Sequence, residues 1–191
     1  ERREPTVEGA CAGLIAGLIG IPDLDLDVGG LGGWHEPGCA TPQLDAEVLM
    51  ANVLGCRRHD LYMKRAAPGA DVEQRFQSYI ARRKKREPVA YIIGSKEFWS
   101  IPIKVTPDVL IPRPETEALV ERAVAILRAM EARGVSPLRV LDAGTGSGNV
   151  AISVATAVST CVVVALELSW EALSTAAVNA ARHDVADRIR C

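Results

Sequence analysis

The stretch Val140-Leu141-Asp142-Ala143-Gly144-Thr145-Gly146-Ser147-Gly148-Asn149 decides the fold. Residues 138–141 read as a short apolar strand, and residues 150–158 as a helix, so three glycines fall on the turn between them. Glycine there lets a ligand approach the backbone where a β-carbon would block it. Residues 161–166 are apolar and β-rich, a second strand. Residues 171–183 read as a helix, and Ile189 opens a third strand. Strands alternating with helices imply an α/β fold with a parallel, doubly wound sheet.

The second strand ends on Glu167, where a carboxylate can accept both hydroxyls of a ribose. The dinucleotide fingerprint is G-x-G-x-x-G, whereas this loop reads G-x-G-x-G with Asn149 where the last glycine would stand. Asp142 lies two residues before Gly144, at the strand tip. A carboxylate so placed repels a pyrophosphate and suits a ligand with a cationic end. S-adenosyl-L-methionine, with its ammonium and sulfonium, is such a ligand. Asn149 and Asp142 therefore weaken a nicotinamide dehydrogenase reading. The competing structural reading is a glycine-rich turn with no ligand.

Upstream the period is helical. Residues 9–21 form a short apolar stretch and residues 22–38 an Asp-, Gly- and Pro-rich loop. A helix is expected from Thr41 as N-cap with Pro42 first inside it, Leu44, Val48 and Ala51 on one face, and Gly55 as its stop. Another is expected from Asp71, with Gln74 completing a capping box and Val72, Phe76, Tyr79 and Ile80 as the buried stripe, bounded by Pro88. Residues 91–93 and 101–105, either side of Gly94, suggest a hairpin-like connector. Residues 115–133 then read as a helix with Leu119, Ala123, Ile126, Leu127 and Met130 apolar, closed by Gly134.

Composition narrows the function. Of 191 residues 48% are hydrophobic and 24% charged, and 22 Lys+Arg against 24 Asp+Glu leave a net charge of −2. No global basic field exists to hold nucleic acid, and 4% aromatics give little surface for stacking bases. Cys11, Cys39, Cys56, Cys161 and Cys191 form no Cys-x-x-Cys pair, and His35, His59 and His183 share no ligand spacing, so no metal site is expected. Free thiols suit a reducing compartment, and a cytoplasmic location is the default. Cys161 reads as inert core. The basic run of residues 82–86 closes a helix, where cations complement the dipole; an RNA contact is the less favoured reading.

Two further segments carry a resemblance. Arg86-Glu87-Pro88-Val89-Ala90-Tyr91-Ile92-Ile93-Gly94 and Ile111-Pro112-Arg113-Pro114-Glu115-Thr116-Glu117, with Leu44-Asp45-Ala46-Glu47 and Asp60-Leu61-Tyr62, resemble the PrmC/HemK family of peptide-chain release factor N5-glutamine methyltransferases. The likeness begins near Thr41; residues 1–40 match poorly. It implies a helical substrate-recognition domain over residues 1–87, a β-hairpin connector over 88–112, and the N-terminal part of a Rossmann-like methyltransferase domain over 113–191, cut short after the second or third strand. It also implies S-adenosyl-L-methionine as cofactor, held by Gly144, Thr145, Gly146, Ser147, Gly148 and Glu167, and a release factor as protein substrate. Residues 113–117 would border the active-site cleft, or simply start a helix whose dipole Glu115 and Glu117 complement. The family's N-P-P-Y motif, which holds the glutamine amide, does not occur in these residues. No residue is therefore assigned a catalytic role, and this polypeptide alone is expected to be inert. The rivals are a methyltransferase for nucleic-acid amino groups and a non-catalytic binding module with a vestigial cofactor fold.

Overall fold

The computed structural model describes residues 42–62 and 69–191. The expected helix at 9–21, the loop at 22–38 and the Thr41 cap lie outside them. The chain divides into two compact units, the first ending at Ile93 and the second running from Gly94 to Cys191.

The first unit is helical. Helix α1 (Pro42–Leu54) starts on Pro42, whose fixed φ suits the first helical position. Past its end, Gly55 takes a φ of +60° and the Cys56 N–H reaches back to the Ala51 carbonyl. Its buried residues include Ala46, Leu49, Met50 and Val53, an i, i+3, i+4, i+7 stripe. This corrects the expected face: Ala51 is buried, but Leu44 is exposed, because the closely spaced Leu49, Met50 and Val53 set which side turns inward. A 3₁₀ turn (Arg58–Tyr62) contributes Leu61. Helix α2 (Ala70–Lys84) buries Phe76 and Ile80 against α1, with Val72 and Tyr79 at the margin of that core. The capping box is a second correction. The helix begins one residue before Asp71, with Gly69 at the N-cap and no side-chain bond there.

Residues 91–93 are helical, not strand, and this is a third correction. They belong to α3 (Val89–Ile93), whose first turn forms on the Pro88 carbonyl, which accepts from the Tyr91 and Ile92 N–H groups. Pro88 fixes the chain for a helical start, and a three-residue apolar run is too short to override it.

The second unit opens with a ribbon of β1 (Ser95–Phe98) antiparallel to β2 (Ile101–Lys104). Its turn is Trp99-Ser100, not Gly94. Both residues have positive φ (50° and 62°), as a two-residue hairpin turn matched to strand twist requires. A 3₁₀ turn (Pro114–Thr116) leads into α4 (Glu117–Ala132). Here too the expected face is corrected. Val120, Val124 and Leu127 are buried, whereas Leu119 is 57% and Ile126 46% exposed. The helix carries two apolar arcs, and the one through Val120, Val124 and Leu127 packs.

The sheet follows: β3 (Leu138–Ala143), α5 (Asn149–Ala157), β4 (Cys161–Leu166), α6 (Trp170–Arg182) and β5 (Ile189–Arg190). Its order is β3-β4-β5, all parallel, with Leu138 opposite Cys161 through to Ala143 opposite Leu166, and Val163 opposite Ile189. Strand–helix–strand crossovers between parallel neighbours are the Rossmann-like arrangement, and the fold is α/β with a helical N-terminal part. Cys161, Val163 and Ala165 point into the core; on the alternate positions Leu141 and Leu166 are largely exposed.

Candidate functional site

The glycine loop sits at the carboxyl ends of β3 and β4, where open α/β sheets place their ligands. β3 is extended onto β4 by one further step, since the Gly144 and Thr145 N–H groups both donate to the Leu166 carbonyl, at 2.8 and 2.9 Å. The chain then reverses through Gly144, Gly146 and Gly148, with φ of 78°, 53° and 80°.

The glycines do different work. A β-carbon on Gly144 or Gly146 would meet nothing within 4 Å, so that side of the loop is open to a ligand. A β-carbon on Gly148 would lie 3.1 Å from both the Ala176 Cβ and the Ile152 Cδ1. Gly148 is thus needed for the close approach of α5 and α6.

Two acids hold the loop. Asp142 Oδ2 accepts from the Thr145 hydroxyl at 2.7 Å and from the Ala151 N–H at 3.2 Å, so the β3 tip places negative charge on the first turn of α5. Glu167 Oε2 accepts from the Gly146 N–H at 2.9 Å, while Oε1 accepts from the Leu168 and Ser169 N–H groups at 2.8 and 3.2 Å. The Gly146 bond foremost, then those of Ser169 and Leu168, hold the Glu167 carboxyl below the usual glutamate range, against a smaller opposing effect of burial. Thr145 and Ser147 are buried within the loop, and the Ser147 hydroxyl reaches the Asn149 side chain at 3.4 Å.

The structure therefore brings Gly144 to Gly148 and Glu167 to one place, with a direct bond between Gly146 and Glu167. Sequence reasoning missed Asn179. It is fully buried in α6, and its amide bonds the Ser147 carbonyl and the backbone of Lys104. The only available signal was a poor helix former amid alanines.

Other candidates resolve into structure. Arg82 pairs with Glu87 and donates to the Ile92 carbonyl, and Arg83 pairs with Asp45 at 2.9 Å, so two cations of the basic run lock the helical unit. Glu117 Oε1 accepts from the Trp99 N–H at 2.9 Å, stitching the start of α4 to the hairpin turn. Phe98 is buried. Cys161 is buried in β4, and burial pushes its thiol up, away from reactivity. Among the described residues no group of three or more His, Cys, Asp or Glu could hold a metal ion. None of their helices is long and apolar enough to cross a membrane.

Comparison with known proteins bears on both units. Residues 35–94 match the PrmC N-terminal domain. The release factor glutamine methyltransferase of Coxiella burnetii is 45% identical over 149 residues, covering 76% of this chain and 51% of that protein. The same-named protein of Nitratidesulfovibrio vulgaris is 41% identical over 152 residues (78% of this chain, 48% of the relative). That of Escherichia coli is 38% identical over 141 residues (73% and 49%). The chain spans about half the length of the curated relatives it matches. By this domain match, and by relatives that align with about three quarters of its length, the chain is similar to the release factor glutamine methyltransferases.

Proposed function

We infer that this chain binds S-adenosyl-L-methionine and supplies the cofactor-side half of an enzyme that methylates a glutamine side-chain nitrogen in a peptide-chain release factor. The observation that carries this reading is the loop itself: an open side at Gly144 and Gly146, where a β-carbon would meet nothing within 4 Å, beside a carboxylate that backbone amides keep ionised. The names of the relatives supply the reaction class and the protein substrate.

The residues fit the cofactor. An ionised carboxylate offers about four lone-pair positions, and Glu167 has three engaged by amides. It can take one ribose hydroxyl without giving up a partner; taking both releases one amide. Asp142 adds negative charge near the loop, which favours a cationic ligand over a pyrophosphate. Bound S-adenosyl-L-methionine supplies an electrophilic methyl on its sulfonium.

The acceptor is the harder part. An amide nitrogen is a poor nucleophile because its lone pair is delocalised into the carbonyl, so a site must orient it and accept its N–H bonds. No Asn-Pro-Pro-Tyr occurs in these residues to do so. In this reading residues 1–87 serve substrate recognition, 88–112 connect, and 113–191 bind cofactor, in the cytoplasm.

Calorimetry with S-adenosylhomocysteine tests the site. The wild-type chain binds, and Glu167→Ala weakens binding; equal affinities would remove Glu167 from the role given to it. Methyl transfer to a release factor by this chain alone would overturn its expected inertness.

A further inference from the structure

Asn179 joins three pieces of the second unit. Its Oδ1 accepts from the Lys104 N–H at 2.8 Å, and its Nδ2 donates to the Lys104 carbonyl and to the Ser147 carbonyl, each at 2.9 Å. Pairing with both the N–H and the C=O of one residue is what a neighbouring strand would do. One turn further on, at the C-cap of α6, the His183 Nε2 meets the Pro102 carbonyl at 2.9 Å. α6 thus stands in for a third strand along the outer edge of β2, and the same Asn179 amide reaches across to the cofactor loop.

That reach depends on Gly148. Ala176 precedes Asn179 by three positions on α6, and it packs where a Gly148 β-carbon would sit. The close approach brings the Ser147 carbonyl onto the Asn179 amide. Ser147 is 1% exposed, so its carbonyl depends on a protein donor. It lies in the peptide between Ser147 and Gly148, two peptide units on from the Gly146 N–H that Glu167 binds.

We propose that Asn179 is a positioning residue that fixes the glycine loop in its ligand-accepting form and ties it to the β1–β2 hairpin. This deepens the cofactor reading and rests on it. The hairpin and the loop are then held by one side chain, so displacing the hairpin strand disturbs the cofactor site without any contact between hairpin and cofactor.

Asn179→Asp is the nearest test. The new carboxylate still accepts from the Lys104 N–H, but its other oxygen faces two carbonyl oxygens, and it loses the donor that both need. Protonation restores a donor to one of them. S-adenosylhomocysteine affinity of N179D should fall about tenfold or more at pH 8 and recover in part at pH 5.5, with the wild type nearly flat. His183→Ala removes a neighbouring hairpin bond and leaves the loop bond, so its affinity should stay within about twofold of wild type. In amide exchange, N179D should lose protection at Gly146 and Gly148, while the Lys104 N–H, which keeps its acceptor, should change least. Wild-type affinity for N179D at both pH values, or a loss that is flat with pH and matched by H183A, would overturn the proposal.

If the wild type binds no S-adenosylhomocysteine, the cofactor reading fails and exchange alone decides. Loss at the loop glycines supports the coupling, and loss confined to Lys104 sinks it. If N179D does not fold, Asn179→Ala takes its place in the exchange and affinity measurements, with loop deprotection expected and its absence decisive against the proposal.

Discussion

The helical unit and the sheet unit are held together by different kinds of bond. In the helical unit large side chains meet one another: Leu49, Met50, Phe76 and Ile80 form the core, and Asp45–Arg83 and Arg82–Glu87 are side chain to side chain. In the sheet unit α5 and α6 bury small residues, Ala151, Ala155, Ala172 and Ala176, and Gly148 approaches Ala176 closely. The polar side chains Asp142, Glu167 and Asn179 bond mainly to backbone. Side-chain contacts fix a shape that a partner can meet. Side chains bonded to backbone hold a main-chain loop whose own atoms are to face a ligand.

Removing Phe76 should cost most. F76A empties a fully buried aromatic site in the helical unit and should destabilise it by about 3–5 kcal/mol in denaturant titration. A cost under about 1 kcal/mol would deny that this unit depends on large side chains. Gly148→Ala comes next. It forces a β-carbon into a positive φ and against Ala176, for a loss of roughly 2–3 kcal/mol in the sheet unit with weaker S-adenosylhomocysteine binding. A neutral effect would show that α6 can retreat.

The Asp45–Arg83 pair should matter less. A double-mutant cycle should return a coupling of about 1 kcal/mol, since both side chains are mostly but not fully buried. Glu167→Gln should have the smallest effect on stability, felt above the pH at which the carboxyl titrates and vanishing in acid. The folded carboxyl titrates below its ordinary value of about 4.3, so its stabilisation is complete above that pH. It is lost as pH falls through the depressed value. Wild type should therefore lose more stability than E167Q on going from pH 6 to pH 3. Parallel curves would mean that the amides do not hold the charge.

Much of the sheet unit is legible in the sequence. The strand at 161–166 is bounded as expected, because a β-branched run between a turn and an acid has one reading. The meeting of Glu167 with the glycine loop follows from chain order in a parallel sheet, where adjacent strand tips lie side by side. The face of α4 was not legible, because Leu119, Ile126 and Met130 are as apolar as the arc that packs. The helix at residues 89–93 hides behind β-branched letters, and the proline before it decides. Asn179 was least legible: its partners are backbone atoms 75 and 32 positions away, and backbone leaves no trace in composition.

Pro102 and Lys104 have one consequence for how the ribbon behaves among other molecules. Along the outer side of β2, Pro102 has no N–H to offer and its carbonyl is met by His183, while both polar groups of Lys104 are engaged by Asn179. A lone pair of strands ordinarily invites a stray third to zip on. Here the seam along β2 is already sewn shut, so in a crowded cell no neighbour can join the ribbon on that side.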